Sequence, residues 1–156
     1  MNNDVLQVAE TIISCFRQRS SNESFLVAIS GIDGAGKGYV TSHIAQELRD
    51  QGLRTEVIHV DGWLNLPSVR FHEDRSAEHF YRNAIRCEEM FEQLILPLKR
   101  QRSIQVEANF AEETASTYRR HEYRFENVDV ILLEGIYLLT GTSAALRLDV
   151  VGRLHV

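Results

Sequence analysis

FLVAISGIDGAGKGYV, residues 25–40, sets an apolar run directly against a cluster of glycines. The run 25–30 is too short for a helix and has no polar alternation, as expected of a parallel strand buried on both faces. Gly31 and Gly36-Lys37 stand at the spacing of a phosphate-binding loop, in which Gly, four residues and Gly-Lys precede a Ser or Thr whose hydroxyl meets magnesium. Here the next residues are Gly38 and Tyr39, and the nearest hydroxyls, Thr41 and Ser42, lie about one helical turn further on. An ordinary turn is the plainer reading of a lone glycine cluster. The context favours the loop: a strand precedes it, and Val40, Ile44 and Leu48 form a helical stripe behind it. Glycines let the backbone curl so that successive N–H groups and the helix N-terminus point at anionic oxygens, and Lys37 can reach the β- and γ-phosphates. Gly31, Asp33, Gly34, Ala35, Gly36, Lys37, Gly38 and Tyr39 are therefore the candidate nucleotide-binding residues.

Outward from this stretch the pattern repeats. Upstream, Val5, Val8, Ile12 and Phe16 recur at helical spacing behind an Asp4 cap, predicting an N-terminal helix within residues 1–22. Downstream, Gly52 is placed to cap the helix after the loop, and TEVIHV (55–60) reads as a second strand ended by Asp61-Gly62. From Ser76 to about Leu96, Phe80, Ala84, Cys87, Phe91 and Leu94 predict one helix, which Pro97 should end or kink. Residues 103–125 are polar and weakly periodic, predicting a loop or hairpin excursion. VDVILLEGIYLL (128–139) is the strongest strand in the chain, and a short run at 148–151 suggests one more. Strand, loop, helix, strand, helix, strand is the order of an α/β domain with a parallel sheet, whose ligands bind beyond the carboxyl ends of the strands.

The bulk properties narrow the setting. At 156 residues the chain is one domain by length, able to bury about 70% of its unfolded surface. A net charge of −5 argues against general affinity for nucleic acid or an anionic membrane, because both are acidic. Cys15 and Cys87 have neither metal-ligand spacing nor the density of a disulfide framework. No signal-peptide pattern opens the chain and no apolar run approaches membrane-spanning length, so a cytoplasmic protein is expected.

Two carboxylates fall where the sheet should face the loop. Asp61 in VIHVDGWLN is either a plain strand-ending turn or a group that takes the proton from an attacking hydroxyl or positions metal-bound water. Glu134 continues the alternation of Val128, Val130 and Leu132, and a carboxylate ending such an apolar strand is costly unless paired or metal-bound. At this point a family comes into view. GIDGAGKG, VDGWLN and VDVILLEGIYLL resemble the uridine kinase-like branch of P-loop phosphotransferases, with phosphoribulokinase and pantothenate kinase as relatives. AEHFYRNAIRCEEMFEQLILPLKR is similar to the helix that follows the second strand there, so the likeness covers about residues 25–140. It implies a P-loop NTPase-type three-layer α/β fold, with a parallel sheet and flanking helices. It implies ATP as donor, a small hydroxyl-bearing acceptor such as a nucleoside, Asp61 as the acceptor-side base with Lys37 at the phosphates, and magnesium held by Glu134 with Asp61. Adenylate kinases are similar in having Gly-Lys-Gly, though they follow it with Thr where this chain has Tyr39.

The acceptor side is read less sharply. TYRRHEYR (117–124) holds Tyr118, His121 and Arg124, which either read a base and sugar or decorate a solvated basic hairpin. Arg70 is either a neutraliser of an acidic acceptor or a surface charge at a helix start, and Trp63 reads as packing or pocket wall. The resemblance also implies a further strand and an arginine-bearing lid beyond the third strand. The sequence closes on LDVVGRLHV, with Arg147 and Arg153 as its last arginines, so a C-terminally shortened fold is expected, with an exposed sheet edge that would favour a homodimer. The alternatives are a non-catalytic nucleotide-binding module and, through DVVG (149–152), a GTPase, although no Asn-Lys-x-Asp guanine motif occurs.

Overall fold

Burial on both faces decides where the first strand goes. In the computed structural model, which describes residues 3–32, 34–71, 77–136, 138 and 150–153, β1 (Phe25–Ser30) sits inside a parallel sheet of order β2-β5-β1-β6. Its neighbours are β5 (Val130–Gly135) on one side and β6 (Val150–Arg153) on the other, with β2 (Thr55–His59) beyond β5. Phe25, Val27, Ile29, Val130 and Leu132 face one helical layer, whereas Leu26, Ala28, Ile131 and Leu133 face the other. Both layers are apolar, so neither strand could show alternation in sequence.

The first layer is α1 (Asn3–Gln18) and α2 (Lys37–Asp50), which bury Val5, Ile12, Ile44 and Leu48 against the sheet. Gly52 ends α2 as expected. It takes φ +82°, its N–H bonds Arg49 O at 2.9 Å, and Leu53 N–H returns to Leu48 O at 3.0 Å, the paired bonds of a Schellman stop. The second layer is a helical segment and a hairpin. The hairpin pairs β3 (Ile104–Phe110) antiparallel with β4 (Arg119–Phe125) and sets Ala108 into the core. The excursion predicted over 103–125 is thus this hairpin. Three layers with a central parallel sheet bear out the expected fold class.

Three expectations are corrected. The helix predicted over 76–96 is broken. Short α3 (Pro67–Arg70) precedes α4 (Ala77–Asn83), and Ser76 lies outside the described residues. After α4 the chain straightens to pair with residues 63–65: Asn65 N–H bonds Ala84 O at 3.0 Å and Arg86 N–H bonds Trp63 O at 2.8 Å. Helix resumes in α5 (Cys87–Met90), widens into a π turn at Phe91–Ile95, and continues as α6 (Leu96–Gln101). Pro97 therefore does not end the helix, because the wider turn before it absorbs the missing N–H. The third strand spans only 130–135, with Tyr137 and Leu139 outside the described residues. Val128 precedes the strand and joins the opposite core from Val130 and Leu132.

Candidate active site

The glycine loop is shaped by two left-handed glycines. Gly34 and Gly36 both take φ +75°, and Gly36 caps α2 with no side chain covering its first N–H groups. Lys37, the first residue of α2, arcs back over the loop: its Cγ and Cδ lie 3.3 and 3.2 Å from where a Cβ on Gly31 would stand. Its Nζ donates to Ile32 O at 2.7 Å, so the ammonium lies against the loop backbone. Ala35 N–H closes toward Ile32 O at 3.4 Å. Asp33 lies outside the described residues.

The altered end of the loop is resolved residue by residue. Open space surrounds the Cβ position of Gly38, so a hydroxyl-bearing side chain would fit there and is simply lacking. Tyr39 is 68% exposed, with its ring 4.1 Å from that of His43 on the outer face of α2. Thr41 is buried among Ile44 and Leu48, its Oγ1 without a hydrogen-bond partner, and Ser42 Oγ donates to Gly38 O at 2.7 Å. Neither hydroxyl replaces the missing one.

Across the strand ends the register sets three residues side by side. Glu134 of β5 stands opposite Ile29 of β1 and opposite His59 of β2. Its carboxylate is buried, and His59 Nδ1–H donates to Glu134 Oε2. That hydrogen bond raises the His59 pKa above 6.5; partial burial opposes it, and the charges of Glu134 and then Asp61 reinforce it. A folded-state pKa above the unfolded one gives stability that is complete below about pH 6.5 and is lost as pH rises through the folded value. The urea midpoint is therefore expected to fall modestly above about pH 6.5, since the His59 side chain is 56% exposed. His59→Gln should flatten that fall, and an unchanged profile in the variant would remove the pair from the account. His59 went unnoticed in the sequence, its only signal being its place two residues before Asp61.

Asp61 follows in a single 3-10 turn, Val60–Gly62, whose shape depends on close approaches. A Cβ on Gly62 would lie 2.4 Å from the Phe110 ring, so glycine lets the hairpin close on the turn. Beside Asp61 opens a cavity of about 770 Å³, large enough for a small metabolite. His59, Asp61 and Arg70 form one wall, and Phe110, His121 and Arg124 of the hairpin another. His121 is held between the rings of Phe110 and Tyr123, at 5.1 and 4.6 Å. Trp63 and Tyr118 do not line this space. Trp63 is fully buried, stacked on Tyr123 at 5.8 Å, and Tyr118 bonds Asn65 Oδ1 at 3.2 Å. Both rings carry the guanidinium of Arg86, at 5.1 and 4.7 Å, a buried arginine that sequence reading did not single out.

The glycine loop and the cavity are separate surfaces, linked by the Ile29–Glu134–His59 row and by Asp61. No group of three or more His, Cys, Asp or Glu among the described residues is placed to hold a metal by itself. No helix among the described residues is long and apolar enough to cross a membrane. The DVVG stretch has Val150, Val151 and Gly152 inside β6, which is strand and not a switch loop.

Neither a family model nor a curated protein sequence matches the chain. Solved structures do. A candidate uridine kinase from Bacillus stearothermophilus aligns with a TM-score of 0.83 at 22% identity, over 99% of this chain and 80% of its own. A candidate fructose transport system kinase from a Silicibacter species gives 0.75 at 22%, over 100% of this chain and 75% of its own. D-glycerate 3-kinase from Cryptococcus neoformans gives 0.61 at 17%, over 86% and 53%. At these identities the likeness establishes the fold alone, the α/β fold that the chain shares with these solved structures.

Proposed function

We propose that the chain transfers the γ-phosphoryl group of ATP to a hydroxyl of a small molecule. The observation that carries this reading is the placement of Asp61 after β2, on the wall of an acceptor-sized cavity, with β5 between it and the glycine loop that follows β1. The kinase names of the three structural neighbours support it. In the proposed step Asp61 accepts the proton of the acceptor hydroxyl as its oxygen bonds to the γ-phosphorus. The bond from that phosphorus to the bridging oxygen breaks, and ADP leaves with the electron pair. Lys37 and the loop N–H groups hold the phosphates.

Magnesium would supply charge neutralisation at the β- and γ-phosphates. The residues fit a cation held through carboxylates and water, since magnesium is often bound by one or two carboxylates plus substrate phosphates. Glu134 and Asp61 would be those carboxylates, the first of them oriented by the His59 hydrogen bond. A nucleoside such as uridine is the acceptor that the resemblance implies, and the rings of Phe110 and Tyr123 with His121 would receive a base.

One observation favours a second reading, nucleotide binding without transfer: no hydroxyl stands where the loop ordinarily offers one. ADP release measured with and without a panel of nucleosides, sugars and hydroxy acids separates the two. Acceptor-dependent release supports transfer. Tight ATP binding with equal release in every mixture would select the second reading.

A further inference from the structure

Arg70 is the most unusual charge in the cavity wall. It is 4% exposed at the end of α3, yet it lines the 770 Å³ space beside Asp61. One Nη2 hydrogen bond goes to the backbone carbonyl of Glu113, and the guanidinium lies 5.2 Å from the Phe71 ring. Its Nε has no hydrogen-bond partner, and no carboxylate among the described residues forms an ion pair with it. A buried guanidinium without a counter-charge is costly, and among the described residues none meets it, which leaves the charge for a bound anion to satisfy.

Asp61, Glu112, Glu113 and Glu122 also line the cavity, and none of these carboxylates forms an ion pair with Arg70 among the described residues. Glu112 is exposed and faces Arg119 at 3.4 Å, and Glu122 accepts from Gln105 at 2.6 Å. Arg124, the other arginine of the lining, is paired with Glu126 at 3.0 Å on the exposed surface. Among the described residues lining the cavity, Arg70 thus supplies a buried positive charge without an ion pair, with planar donors suited to a carboxylate or a phosphate.

We infer that Arg70 binds an anionic group of the acceptor, which is a small hydroxy compound carrying a carboxylate or phosphate besides the hydroxyl that reacts. This rests on the phosphotransfer reading and narrows it. A neutral nucleoside would leave Arg70 as uncompensated as it stands. Asp61 shares the cavity wall, so the anionic group would sit at Arg70 and present a hydroxyl toward the carboxylate of Asp61.

Matched compounds test this on the whole chain: glycerol against D-glycerate and glycerol 3-phosphate, fructose against fructose 6-phosphate, and uridine against uridine 5′-monophosphate. Thermal unfolding with each compound alone reads binding without turnover. ADP release with ATP and magnesium reads transfer. At least one charged member should raise the unfolding midpoint where its neutral partner does not. That shift should vanish in Arg70→Gln, survive in part in Arg70→Lys, and persist in Lys37→Ala, which disarms the glycine loop. D-glycerate against the phosphates tells carboxylate from phosphate. In turnover, Arg70→Gln should raise KM for the charged acceptor at least about tenfold, the loss of one charge-assisted pair, with KM for ATP unchanged. Neutral partners binding as well as charged ones, or a midpoint shift indifferent to Arg70, would overturn the inference. Anion binding at Arg70 without acceptor-dependent ADP release would instead count against phosphotransfer alone.

Discussion

Asp61→Asn is expected to lower acceptor-dependent ADP release by about 10²- to 10⁴-fold, the usual contribution of a positioned general base, while ATP binding measured without magnesium stays close to that of the unaltered chain. The split follows from placement. Asp61 projects from a short turn onto the cavity wall, and the loop that would hold ATP is built from residues 31–39, of which the described ones do not line the cavity. Asparagine keeps the size and the polar contacts but cannot take a proton at neutral pH. Rate and affinity measured together check the claim. An equal loss of both would make Asp61 a part of the nucleotide site and not of acceptor chemistry.

Gly135→Ala is the second large effect, and it falls on stability. A Cβ there would lie 2.0 Å from Val60 Cγ2 and 2.9 Å from Val60 Cβ, a clash no rotamer change removes entirely. Overpacking a close-packed site costs about 1–3 kcal/mol. The strain would reach the chemistry as well, because Val60 opens the turn that carries Asp61, and Gly135 follows Glu134. A fall in urea midpoint accompanied by lower transfer activity is expected. A variant as stable as the parent would mean that β5 and the Asp61 turn are not packed this tightly.

The parts of this fold that could be read from sequence are those set by local chemistry. A strand buried on both faces, a glycine loop and a Schellman stop at Gly52 each follow from residue type and spacing within a dozen positions. Tertiary demands hid the rest. Ala84 and Cys87 have helical spacing, but the backbone at 63–65 takes residues 84–86 as a partner and the helix breaks. The hairpin alternates Ile104, Val106 and Ala108 with polar residues, but His121 and Arg119 on its other strand blur the inward face. Burial is the property least visible in one dimension. It turned Trp63 from a wall candidate into core, and it made Arg70, plausible as a surface charge, into an interior one. His59 escaped notice because its significance lies in a carboxylate 75 residues away.

The most direct test is calorimetric titration of the chain with ATP, with and without magnesium, beside Lys37→Ala. Saturable ATP binding is predicted, tightened by magnesium through Glu134 and Asp61. Lys37→Ala should weaken it at least about tenfold, as the loss of a charge-assisted contact to phosphate requires. A folded chain that does not bind ATP, or binds it regardless of Lys37, would contradict the reading of residues 31–39 as a phosphate-binding loop.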